Sequence, residues 1–150
     1  MTEPVTVLND DLFGALNQEP FVLLHTIDAD SGSPTSSVIS WIYAVNRTTL
    51  RFAIDGRSRL SVNMTSKADV SITLFGPGTV QTIYGTARLV TKVLDDVPIK
   101  LVCFDIRISE IRDAMFYGSR LSAKPAYEKT YDLRAADKLD KQVFAAMEKA

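Results

Sequence analysis

The chain has 150 residues, 46% of them apolar and 23% charged, which fits one soluble globular domain spanning 1–150 and excludes a disordered or membrane-embedded class. Seventeen Lys plus Arg against eighteen Asp plus Glu leave a net charge of −1, so no global field holds a nucleic-acid backbone by counterion release, and nucleic acid is excluded as a partner. No stretch approaches the ~18 apolar residues of a membrane span, and Glu3, Asp10 and Asp11 precede any long apolar run, which argues against a secretory signal and points to the cytoplasm.

Asn9-Asp10-Asp11 before Leu12, Phe13 and Leu16 reads as the cap and first turn of an amphipathic helix, stopped by Pro20. An Asn or Asp side chain accepts from free first-turn amides, and negative charge suits that end. Phe21 to Ile27 is an apolar run of strand length, and the residues after it, DADSGSP, are a dense turn signal. His25 lies inside the run, where a hydrogen-bonded core or wall histidine outweighs a catalytic base. From Ser36 to Val45 the residues alternate as one strand, with Ile39, Trp41, Tyr43 and Val45 on one face and Ser36, Val38, Ser40 and Ile42 on the other. After the turn Asn46-Arg47-Thr48, Leu50, Phe52 and Ile54 repeat the period opposite Thr49, Arg51 and Ala53.

The stretch FAIDGRSRLSVNM, residues 52–64, changes character. The strand ends at Asp55-Gly56, Arg57, Ser58 and Arg59 follow, and Leu60 and Met64 lie four apart on one face of a short helix over 58–66. If Ser58 caps that helix, its free first-turn amides open at the same corner as the two arginines, and both features favour a phosphate dianion. The same residues equally fit an ordinary N-cap flanked by solvated arginines.

Val70, Ile72 and Leu74 mark a further strand, Gly76-Pro77-Gly78 breaks it, Thr79 to Val90 is β-rich, and Asp95 to Pro98 breaks again before Ile99 to Ile108. The lone Cys103, between Val102 and Phe104, reads as a core thiol. Pro125 to Asp132 is loop-like, and Ala135, Leu139, Val143 and Met147 recur every four residues as a closing amphipathic helix. The pattern predicts a mainly β fold, a six-stranded antiparallel barrel with flanking helices, one of them inserted after the third strand. One His and one Cys cannot build a structural zinc site, and there is no phosphate loop, dinucleotide fingerprint or Gly-x-Ser-x-Gly elbow.

Residues 8–108 run as helix, apolar strand, Gly-Pro loop, two strands ending in FAIDGRSRL, helix ending SVNM, and TVQTIYGTARLV. In that order and spacing they resemble the pyridoxamine-phosphate-oxidase-like, FMN-binding split-barrel proteins. The resemblance implies a six-stranded split barrel that binds FMN, with deazaflavin or haem in other members, as a homodimer carrying the cofactor between subunits. By position it implies Ser58 and Arg59 at the FMN phosphate, with Leu60 where the family has lysine and Arg57 able to supply the second charge. It also implies the backbone of Ser37, Val38, Ile39 and Ser40, with Ile54 and Asp55, against the flavin ring, and Gln81 as the family's fifth-strand glutamine. The implied activity is an FMN-dependent oxidoreductase with a small-molecule substrate, or else a flavin-binding storage or stress module without turnover. The end VFAAMEKA differs from the substrate-binding Arg-Leu end of authentic pyridoxamine phosphate oxidases, so vitamin B6 phosphate is not the expected substrate.

Overall fold

The computed structural model describes residues 3–150. Helix α1, Asp10–Leu16, starts where its cap predicts, the Asn9 side chain accepting from the Leu12 N–H at 2.9 Å, and buries Leu12 and Leu16. Then come β1 (Val22–Ile27), β2 (Pro34–Ile39), β3 (Ile42–Asn46), β4 (Thr49–Asp55), α2 (Arg59–Ser66), β5 (Asp69–Phe75), β6 (Val80–Thr91), β7 (Leu101–Asp113) and α3 (Leu133–Lys149).

Among the described residues there are seven strands, not six, and α2 follows the fourth. The stretch expected as one strand from Ser36 to Val45 is two, because the sheet order is β2-β1-β5-β6-β7-β4-β3, with every pairing antiparallel. β2 and β3 are therefore opposite edges of one sheet, separated in sequence by Ser40 and Trp41 alone. Three Cα steps of about 3.8 Å cannot bridge a flat sheet of this width, so the sheet must curl until its edges meet. No ladder joins β2 to β3. The barrel is closed covalently but left open in hydrogen bonding, which is the split. The link also shifts the alternation: Ile39, Ile42 and Ala44 share the main core, whereas Trp41 and Tyr43 pack on the opposite side against α3.

Two apolar layers result. Inside the barrel lie Leu24, Ile42, Leu50, Phe52, Ile72 and Ile106, all fully buried. Outside β4 and β7, Ala53, Leu101 and Cys103 are covered by Val143, Ala146 and Met147 of α3. α3 is anchored at two polar points. Trp41 Nε1 donates to Asp140 at 2.8 Å. Arg51, paired with Asp105 through Nε at 2.6 Å and Nη2 at 3.0 Å, also donates to the main-chain oxygens of Met147 and Ala150 at the end of α3.

Elsewhere the outer sheet face stays open. Register aligns Val38, Leu23, Thr73, Thr82 and Arg112 in one row and Ser36, His25, Ser71, Tyr84 and Glu110 in the next. Ser36, Val38, Tyr84 and Arg112 on it are exposed.

Candidate functional site

β4 runs into α2 through Asp55-Gly56-Arg57-Ser58, and Ser58 caps the helix as expected, its side chain accepting from the Leu60 N–H at 3.2 Å. Arg57 folds back on Asp55, donating from its backbone N–H at 2.8 Å and from its guanidinium at 3.2 Å. Arg59 reaches across to the β1–β2 loop, where Nε lies 2.7 Å from Asp28 Oδ1, and Nη2 lies 3.1 Å from Asp28 Oδ2 and 2.8 Å from Asp30 Oδ2. One turn further along α2, the buried Asn63 accepts from the Ala29 N–H at 2.9 Å and donates to Thr26 Oγ1 at 3.1 Å. Arg59 and Asn63, at i and i+4, thus grip the same loop from one helix face.

Asp28 is held from its own side as well. Its carboxylate accepts from the Ser31 N–H at 2.9 Å and the Ser31 hydroxyl at 3.1 Å, while its carbonyl accepts from the Gly32 N–H. The Arg59 hydrogen bond foremost, then those of Ser31, hold the Asp28 carboxyl far below the usual carboxylate range. These pairings alter the expected electrostatics. Two guanidinium charges face three carboxylates, Asp28, Asp30 and Asp55, so the side chains of the corner sum to −1, and only the α2 N-terminus adds about half a positive charge. Leu60, next along, is buried in the core and contributes none. Asp28 and Asp30 were not legible as part of this corner, since within their own stretch they read as turn formers.

The remaining expected residues divide. β2 pairs only with β1, so the backbone groups on its free side, running into Ser37, Val38, Ile39 and Ser40, have no ladder partner. The Ala53 N–H donates to the Trp41 carbonyl at 3.0 Å, which sets the end of β4, with Ile54 and Asp55, beside the Ser40-Trp41 link. Ile39 and Ile54 turn inward, while Val38 is 64% exposed on the outer face. The split is therefore bordered by β2 on one side and by β4 and the start of α2 on the other. Gln81 is not brought there. It pairs with Leu74 and Asp113, shares the inward parity of Ile83, and stands beyond β1 and β5, about 14 Å from β2 along the sheet.

His25 is the expected wall histidine, with Nδ1 3.0 Å from Ser36 Oγ and Nε2 2.8 Å from Thr73 Oγ1. Burial lowers its pKa, which favours the neutral ring, and a neutral imidazole can donate to one of these hydroxyls and accept from the other. Among the described residues, no three His, Cys, Asp or Glu side chains are grouped to hold a metal ion. No helix among them is long and apolar enough to cross a membrane. A groove of about 880 Å³ lies away from this corner, between α1, the Gly76–Gly78 turn and residues 121–127.

No family model matches the chain, and no curated protein matches it in sequence. Solved structures do match. HupZ of Group A Streptococcus is 11% identical with a TM-score of 0.61, over 77% of this chain and 99% of that one. A candidate pyridoxamine 5'-phosphate oxidase of Lactobacillus delbrueckii is 16% identical with a TM-score of 0.58, over 72% and 95% of the two chains. An F420 reductase is 15% identical with a TM-score of 0.57, over 70% and 98%. Identities this low carry a likeness of fold, and the chain has the split-barrel fold of the pyridoxamine 5'-phosphate oxidase-like proteins.

Proposed function

We propose that this chain binds a flavin-type cofactor, FMN being the form its family resemblance implies, and that it serves as an oxidoreductase for a small molecule. The observation that carries this is the unpaired edge of β2 facing the end of β4 and the start of α2, in a fold shared with an F420 reductase. The ring end of FMN fits there. A free strand edge offers alternating backbone donors and acceptors to the polar rim of a flavin, and Val38 offers an exposed apolar contact beside it. The phosphate end fits less well, because both arginines are already paired with carboxylates and the corner is net negative.

A bound flavin would supply the electron or hydride transfer, while the protein holds the ring, leaves one face accessible and shapes the substrate's approach. The uncovered outer face, with its rows through His25 and Thr73, is the surface we assign to a second copy, which would complete the cleft beside β2. The test is the visible spectrum of the purified protein before and after addition of FMN, a deazaflavin and haem, followed by anaerobic reduction with a nicotinamide donor. The reading expects a perturbed flavin band and reduction of the bound flavin. A spectrum altered by haem alone contradicts it, and flavin binding without turnover moves the protein to a storage or sensing role.

A further inference from the structure

We infer that Asp28 and Asp30 fill the anion seat beside α2, so that the ligand's charge is selected there: a flavin with a neutral ribityl end binds at least as well as its phosphate ester. The inference rests on the flavin reading and concerns where this chain disagrees with FMN.

Three observations carry it. Most of the guanidinium donors that would receive a phosphate are engaged, since Arg59 directs Nε and Nη2 into three carboxylate contacts of 2.7 to 3.1 Å, and Arg57 turns Nε and Nη2 onto Asp55. Asp28 cannot easily withdraw. Its side chain is 17% exposed against 60% for Arg59, Ser31 binds it twice, and Asn63 pins the neighbouring Ala29 N–H from the buried side. A dianion entering the corner would meet a fixed carboxylate within a few ångströms, and like charges at that distance repel strongly near a protein surface. Nor is a further cation on hand in the helix, because Leu60 faces the core and the first turn carries only Arg59. A neutral hydroxyl end, by contrast, can donate to Asp30, which is 84% exposed and open to an added hydrogen bond.

The experiment is a fluorescence titration of riboflavin and FMN against the wild type, Asp28→Asn/Asp30→Asn and Asp30→Asn alone. With its oxygen in the Oδ2 place, an asparagine at 28 still accepts from Ser31 and from Arg59 Nη2 and loses the Arg59 Nε bond together with the charge, so melting temperature serves as the fold control; Asp30→Asn alters only an exposed group. In the wild type, FMN is expected to bind no tighter than riboflavin. The double variant should gain about tenfold or more for FMN with riboflavin almost unchanged, and the single variant part of that gain. A wild type that prefers FMN by about tenfold, or a folded double variant with unaltered FMN affinity, overturns the inference and leaves the flavin reading standing. If neither flavin binds any of the proteins, the flavin reading fails, and inorganic phosphate decides the seat. A melting temperature raised by phosphate in the double variant but not in the wild type supports it, and an equal response, including none in either, overturns it.

Discussion

At Arg59 the chemistry turns on a partner 31 residues away in sequence. A guanidinium after a helix cap suits a phosphate, but the Asp28 and Asp30 carboxylates reach it first. Ser58 was legible because capping is local, its acceptor and the Leu60 N–H lying two residues apart. The ion pair was not, since nothing in either stretch encodes the register that brings the loop to α2. Asp28 also carries a pH signature. Its folded pKa is depressed, so its contribution to stability is complete above the ordinary carboxylate value near ~4 and is lost as pH falls toward the lower folded value. The melting-temperature gap between wild type and Asp28→Asn is thus expected to be constant above about pH 5 and to close in more acid solution; a gap indifferent to pH removes the pairing as its cause. Cys103 lies beneath α3, and its thiol is pushed up to about 11, chiefly by burial. Native labelling with a disulfide reagent at mild alkaline pH should run about a hundredfold or more slower than in denaturant, and fast native labelling would mean that α3 does not cover β7.

Among the elements, the helices were the easiest to read. Asn9 and the four-residue recurrence from Ala135 to Met147 are local signals, and α1 and α3 form where they indicate. The Ser36–Val45 stretch misled because its alternation is unbroken in sequence, and only barrel closure at Ser40-Trp41 divides it and reverses the parity of Trp41 and Tyr43. Arg51 ties β4, β7 and α3 together, and its loss leaves the buried Asp105 with only the longer contact to Arg88, 3.6 Å away. Arg51→Ala should cost about 3–5 kcal/mol in denaturant unfolding, whereas replacing both members by apolar residues, as in Arg51→Met with Asp105→Leu, should recover most of it. A double variant as unstable as the single would show that the pair's role is not electrostatic. Gly85 sits at the β6–β7 bulge, where an added Cβ would press on the Arg107 carbonyl and on Ile106 Cγ2, 2.6 Å away. Gly85→Ala is therefore expected to destabilise by about 1–3 kcal/mol, and an unchanged midpoint would mean that the bulge relaxes freely.

For the molecule as a whole, closure through one covalent link leaves a slot along β2 and an uncovered outer face beside it. If a second copy covers that face, sedimentation at micromolar concentration should give a species of twice 16.6 kDa. Val38→Asp, which sets a charge on the exposed β2 row, should then weaken the dimer by about tenfold or more, and an unaffected dimer would place the interface elsewhere. Whether the slot between β2 and β4 receives the flavin ring is decided by a crystal structure grown with saturating riboflavin. The ring is expected against the free backbone of Ser37 to Ser40, with Ile54 and Asp55 beside it and the ribityl end toward Asp30. A ring seated instead in the groove between α1 and residues 121–127, with the β2 edge bare, would contradict it.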